Sequence, residues 1–221
     1  MSEPFEKSYF ETAYRDYERQ NSPKKMEFYR RLVCTVTKSI AKPRILEIGC
    51  AFGKFLSTLD PNWDLYGIDV SEYALNQARK RLPEVQLLSC SATEIPFEEK
   101  FDIIAAFDVI EHIADLQQLA ETISSRLILS GRFIFVVPVY DGPIGLIVRH
   151  LDKDPTHLHK ASRNFWLTWA NLHFYVEQWY GILRYLLPWG SYIHWSSQLA
   201  RRWTPPIAVI ARKKGNVSES V

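Results

Sequence analysis

The sequence predicts an α/β protein with a doubly wound, mostly parallel sheet, N-terminal helices and an inserted aromatic-rich substrate region. Three observations carry that expectation. Between Lys42 and Pro138, short apolar runs alternate with amphipathic stretches, the pattern of a parallel sheet covered on both faces. In "RILEIGCAFGKF" (Arg44 to Phe55) an apolar run ends in an acid, a glycine follows, and a second glycine sits four residues later. The alternation then stops at Pro138, and a strand pattern returns only in "PPIAVIARKK".

Residues 6–40 read as helical. In "YFETAYRDYERQ" the rings of Phe10, Tyr14 and Tyr17 recur at spacings of four and three, on one helix face. Asn21, Ser22 and Pro23 supply a stop and a fresh start, and Phe28, Leu32 and Val36 mark the next apolar stripe. "RILEIG" is the first strand and "AFGKFLSTLD" is expected to be a helix. "DLYGIDV" is the second strand, followed by the helix "SEYALNQARKRL" with Ser71 as its N-cap. "EVQLLSC" and "FDIIAAFDVI" are the third and fourth strands, and "DLQQLAETISSRLIL" is the next helix. Ser130-Gly131 is expected to turn the chain into a fifth strand, "RFIFVVPV".

Beyond Pro138 the composition changes. Six of the seven tryptophans lie after residue 160, and five of the six histidines after residue 149. "ASRNFWLTWANLHFYVEQW" is expected to form one long amphipathic helix, with "GILRYLL" a short apolar segment after it. The polar tail "GNVSESV" reads as disordered. One domain results: helices over 1–41, a core over 42–138 and 205–213, an insertion over 139–204 and a tail over 214–221.

Bulk composition narrows the function. A chain of 221 residues suits one domain, and a formal charge of +2 makes no case for nucleic acid. No apolar run approaches the roughly 18–20 residues that span a bilayer, and "MSEPFEKSYF" does not read as a secretory signal. Three cysteines (Cys34, Cys50 and Cys90) without CxxC spacing argue against a disulfide framework or a zinc knot. The expected setting is a reduced cytoplasm and the expected partner a small molecule, with a homodimer left open.

In an open α/β sheet, ligands bind beyond the carboxyl ends of the strands, where strand order reverses. Gly49 directly after the first strand lets a ligand approach the main chain, and Glu47 stands where a carboxylate can accept hydrogen bonds from it. A dinucleotide loop, G-x-G-x-x-G, would need glycine at Ala51 and Lys54. The spacing is instead E-x-G-x-A-x-G, suited to a ligand without a phosphate to cradle. Asp69, twenty residues after Gly49, can take both hydroxyls of a ribose.

Taken in order, "ILEIGCAFGKF", Asp69, "SATEIPF" and "FDIIAAFDVIEHI" resemble the motifs of the class I S-adenosylmethionine-dependent methyltransferases, in particular the small-molecule branch. The resemblance covers roughly Lys42 to Pro138 and a final strand near Ile207 to Arg212. It implies a Rossmann-like fold and S-adenosylmethionine as cofactor. Glu47, Gly49, Cys50 and Gly53 would then surround the methionine part. Asp69 would hold the ribose, Val70 would pack on the adenine, Ser91 and Ala92 would address its edge, and Phe107 would line the sulfonium end. Ala51 replaces the family's usual middle glycine, and Ser91 stands where the family often has aspartate.

The catalytic candidates are His112 and His157. His112 follows the fourth strand beside the cofactor, where an imidazole titrating near neutrality can act as a base or can simply orient a loop. "DPTHLHKASRNFW" places His157 and His159 two apart, facing the same way in an extended loop as metal ligands can. The segment is also similar to one lying over the substrate side in small-molecule members of the family. His157 is therefore read as substrate-facing, and no metal is expected. The tryptophans of the insertion are core residues or the wall of a substrate pocket, and Tyr9, Tyr14 and Tyr17 are a lid or simply packed. The expected activity is methyl transfer to an O, N or C nucleophile of a small molecule. The alternatives are an NAD-dependent oxidoreductase and a non-catalytic S-adenosylmethionine-binding regulatory protein.

Overall fold

The computed structural model describes residues 5, 7–12, 15, 17–152, 154–186 and 192–215. Three helices open the chain: α1 (Lys7–Thr12), α2 (Tyr17–Gln20) and α3 (Pro23–Thr37). The core follows as β1 (Arg44–Ile48), β2 (Asp64–Asp69), α4 (Glu72–Arg81), β3 (Gln86–Ser89), β4 (Phe101–Phe107), α5 (Leu116–Arg126) and β5 (Leu127–Pro138). Then come α6 (Gly142–Leu151), α7 (Arg163–His173), β6 (Phe174–Leu186), β7 (Tyr192–Ser197) and β8 (Pro206–Lys213). Side-chain oxygens of Ser22, Ser71, Asp115 and Ser162 cap α3, α4, α5 and α7, each accepting the amide three residues on.

The eight strands form one sheet in the order β3-β2-β1-β4-β5-β8-β6-β7. Pairing is parallel from β3 to β5, while β8 runs antiparallel to both β5 and β6. Strand order reverses between β1 and β4. Successive residues of the central strands bury themselves on opposite faces, as pleating requires. Leu46, Ile104, Phe133 and Phe135 pack with α5 and with Trp166 and Trp169 of α7. Ile45, Ile103, Ala105 and Ile134 pack on the other face with Tyr29, Leu32 and Val33 of α3 and Leu75 of α4. Helices therefore cover both faces, which is why these strands are apolar throughout.

Three expectations need correcting. "AFGKFLSTLD" is not an α-helix: Gly49, Ala51 and Gly53 all have φ between +45° and +70°, and only a single 3-10 turn forms, over Leu56–Thr58. The expected long helix over 161–179 ends at His173. From Phe174 the aromatic and β-branched side chains suit a strand, and the free edge of β8 takes them as β6. Ser130-Gly131 does not precede β5 but lies within it. Leu127 already pairs with Phe101, and the register jumps before Arg132 pairs with Ile103. The fold places β6 and β7, both from the 139–204 segment, in the sheet itself. The tail over 216–221 and Trp189 lie outside the described residues. Among the described residues no helix is long and apolar enough to cross a membrane.

Candidate functional site

The loop after β1 is shaped by two close approaches. The amides of Gly49 and Cys50 both donate to the Ile68 carbonyl, at 2.8 and 3.0 Å, tying β1 to the end of β2. A Cβ on Gly49 would fall 2.3 Å from Cγ2 of Val109, in the loop after β4, so the two loops meet only because residue 49 has no side chain. Asp69 holds the arrangement from β2, accepting the Ala51 amide at 2.8 Å on one oxygen and the Ser71 amide at 2.9 Å on the other. Burial raises its pKa, and these amide bonds act against that rise.

Above this loop, at the carboxyl ends of β1, β2 and β4, lies a cavity of about 450 Å³. It is lined by Glu47, Gly49 and Cys50 from the first loop and by Asp69 and Val70 from the second. Ser91 and Ala92 follow β3, and Phe107 and His112 belong to β4 and the turn after it. Two of the residues read from the sequence lie elsewhere. Gly53 packs against α4 and the residue after it, where an added Cβ would be 2.6 Å from Leu82 and 3.3 Å from Ala78. His157 sits behind His112, with ring centroids 4.7 Å apart. The cavity's aromatic wall comes from the N-terminal residues Phe5, Tyr9, Phe10 and Tyr17 and from Tyr29 and Phe107. Among the described residues no tryptophan lines it: Trp166 and Trp169 are buried core, and Trp179 lies under Arg201. Phe10 and Tyr17 pack at a tilt against Phe52, and Glu18 pairs with Lys54 and Arg81, which fastens α1 and α2 over the loop. Tyr14 lies outside the described residues.

Glu47 is only 5% exposed, and its Oε2 has no hydrogen-bond partner among the described residues. Burial and the neighbouring Asp69 push its pKa well up, opposed by a bond from the Leu56 amide. A buried, half-unsatisfied carboxyl beside a cavity marks a place for a donor supplied by a ligand.

A second buried cluster was not read from the sequence. Asp108 is held at φ 58° at the end of β4. It takes both Arg184 nitrogens, at 2.7 and 2.6 Å, the Tyr29 hydroxyl at 3.0 Å and Lys25 Nζ at 3.1 Å. Against the opposing effect of burial, Arg184 and Lys25 hold its carboxyl far below the usual range. Lys25 is itself 6% exposed and lines the cavity. The available signal was a lysine pair in the first turn of α3, where a helix dipole disfavours cations.

Beside the cavity, Glu111, His112 and His157 converge. The Glu111 carbonyl accepts the amides of Leu158 at 3.0 Å and His159 at 3.1 Å, which sews this segment to the end of β4. His112 Nδ1 lies 3.0 Å from the Thr156 carbonyl. His157 Nδ1 lies 2.7 Å from Asp152 Oδ2, which the Tyr140 hydroxyl also reaches. His159 does not share that direction, contrary to expectation: its Nε2 lies 2.9 Å from the Ile113 carbonyl. Burial and His157 lower the His112 pKa, while burial and the charge of Asp108 raise that of Glu111. Burial opposes ionisation of Asp152, but bonds from Tyr140 and His157 prevail and hold it at about 2.

Residues 46–133 match the family model described as a methyltransferase domain. A ubiquinone biosynthesis O-methyltransferase of Acinetobacter baylyi is 26% identical over 141 residues, covering 56% of this chain and 59% of that protein. The chain thus spans about three fifths of that relative. A methyltransferase structure from Thermotoga maritima superposes with TM-score 0.68 at 17% identity, over 94% of this chain and 99% of the other. The N-methyltransferase NodS of Bradyrhizobium japonicum, solved with S-adenosylhomocysteine, gives 0.62 at 19% identity, over 88% and 90%. Residues 46–133 thus match a methyltransferase domain, and the chain as a whole shares the fold of S-adenosylmethionine-dependent methyltransferase structures.

Proposed function

We propose that this protein transfers a methyl group from S-adenosylmethionine to an O, N or C nucleophile of a small molecule. The observation that carries the reading is the unpartnered, buried oxygen of Glu47 beside the Gly49 turn, which fits the ammonium of the cofactor's methionine part. Lys25, buried across the same cavity, suits the carboxylate of that part. Asp69 keeps lone pairs for the ribose hydroxyls beyond its two amide bonds. Val70, Ser91 and Ala92 frame the adenine, Cys50 borders the methionine part and Phe107 lines the sulfonium end. Gly53 acts at one remove, by seating the loop on α4.

Bound S-adenosylmethionine supplies a methyl carbon already activated by a sulfonium. The chain's own task is to orient the acceptor and exclude water, which the aromatic N-terminal wall and Phe107 do. His112 lines the acceptor side, where an imidazole can take or steer a proton, and His157 backs it from behind. The nicotinamide reading is not favoured: residues 46–133 match a methyltransferase domain, and Lys54 occupies the position of the dinucleotide loop's third glycine. A cytoplasmic setting accords with three free cysteines.

The test is transfer of labelled methyl from S-adenosylmethionine to a panel of phenols, alcohols, amines and activated carbons. Label on one acceptor class, abolished by Gly49→Val, is the expected result. Cofactor binding with no transfer to any class would favour the regulatory reading.

A further inference from the structure

We propose that Glu111, His112 and His157 bind one divalent transition-metal ion of the zinc class at the acceptor side of the cavity. Its consequence for an acceptor rests on the methyl-transfer reading; the metal binding does not.

Each of these residues presents a ligand atom, and the three atoms lie within 4.8 Å of one another. Ligands around a four-coordinate zinc lie about 3.3 Å apart, given bonds of about 2.0–2.2 Å, so small rotations of three side chains close the set. The Nδ1 hydrogen bonds set the tautomer of both imidazoles. A carbonyl oxygen only accepts, and the Thr156 hydroxyl, also 3.0 Å from His112 Nδ1, already donates to Asp154, so both contacts put the proton on Nδ1. The carboxylate of Asp152 does the same for His157. Each Nε2 is then left with its lone pair, as in metal sites where an outer carbonyl or carboxylate sets the tautomer of the ligating histidine.

Glu111 is the independent observation. It is 1% exposed, and its Oε2 has no partner among the described residues. Its role in fixing the 152–160 segment is met by its backbone carbonyl, which takes the Leu158 and His159 amides. The carboxylate is not needed for that, yet it is buried against two imidazoles. Asp154 adds negative charge behind the site, with Oδ2 4.0 Å from His157 Nε2. Asp108, three residues before Glu111, is not a ligand, because Arg184 and Lys25 occupy it.

His112 lines the cavity, so an open coordination position there faces the acceptor. An acceptor hydroxyl entering that position loses its proton to solvent more readily, which points to oxygen nucleophiles. His112 then serves as a ligand and not as a free base.

The full chain, stripped with chelator, is titrated calorimetrically with zinc chloride and in parallel with magnesium chloride, with S-adenosylhomocysteine binding measured separately. One zinc per chain is expected, at least tenfold weaker in His157→Ala and Glu111→Gln, and unchanged in His150→Ala. No saturable zinc binding, binding of magnesium alone, or affinity unaltered in both variants would overturn the proposal. Cobalt(II) added to the wild-type chain gives a reading independent of how variants fold. The visible absorption of a four- or five-coordinate ion supports the site, and the spectrum of the hydrated ion alone contradicts it. Zinc bound without S-adenosylhomocysteine affinity would leave the metal site standing and remove the methyl-transfer reading.

Discussion

The carboxylate of Asp69 accepts the backbone amide of Ala51 at 2.8 Å, and so pins the first loop of the sheet to the second from below the cavity. Asp69 thus has a structural share in the site beside the ligand-binding one proposed for it. Asp69→Ala is expected to weaken S-adenosylhomocysteine binding by roughly 1.5–3 kcal/mol, the range for losing a charged acceptor. Calorimetry that finds unchanged affinity would remove Asp69 from the site.

Gly49→Ala meets two obstacles: φ of +70° and a Cβ 2.3 Å from Val109. The left-handed conformation alone costs about 1–2 kcal/mol. Loss of cofactor binding is expected, and pairing the change with Val109→Ala should recover part of the stability but not the conformational cost. Urea unfolding of the four forms checks this as a double-mutant cycle; strict additivity would mean the two loops do not touch.

Glu47, in its proposed role, is expected to make cofactor affinity depend on pH. Burial and Asp69 keep it protonated above the usual range in the free protein, whereas a ligand ammonium favours the carboxylate. Binding should therefore release a proton, and affinity should rise with pH until the free protein's Glu47 has ionised. Titrations in buffers of different ionisation enthalpy report that proton, and Glu47→Gln should abolish its release. The same raised pKa means Glu47 lowers folding stability as pH climbs above about 4.3.

Asp108→Asn leaves Lys25 and Arg184 buried without their counter-charge. A loss of about 3–5 kcal/mol in unfolding free energy is expected. Because its folded-state pKa is depressed, the stability Asp108 contributes is present above about pH 3.9 and is lost as pH falls below that. A denaturation midpoint in Asp108→Asn equal to that of the parent would show that the cluster is not coupled to folding.

His157→Ala should lower turnover by roughly 10²–10⁴-fold, the scale of acid–base or metal-assisted effects, with S-adenosylhomocysteine affinity unchanged. Single-turnover assays on saturated enzyme separate the two. Full activity would confine His157 to structure.

Much of this was legible in the sequence because its signals are local. Period-2 and period-3.6 patterns, Ser71 before its helix, and Gly49 after β1 are each written within about ten residues. What was not legible depends on partners far along the chain. Phe174 to Trp179 turns from helix to strand because β8, some thirty residues later, offers an edge. Ser130-Gly131 reads as a turn, and only pairing with β4 reveals it as an irregularity inside β5. The Lys25–Asp108–Arg184 cluster joins α3, β6 and the residue after β4, and the one local hint, a lysine pair in the first turn of α3, does not say what the lysine meets. His157 and His159, two apart, diverge because Asp152 and the Ile113 carbonyl take them in different directions.

The most direct test of the central claim is isothermal titration calorimetry of the purified chain with S-adenosylhomocysteine, with NAD as the parallel titrant. Saturable binding of the first and none of the second is the predicted result. Binding of NAD alone would contradict the account, since the loop from Glu47 to Gly53 would then serve a pyrophosphate.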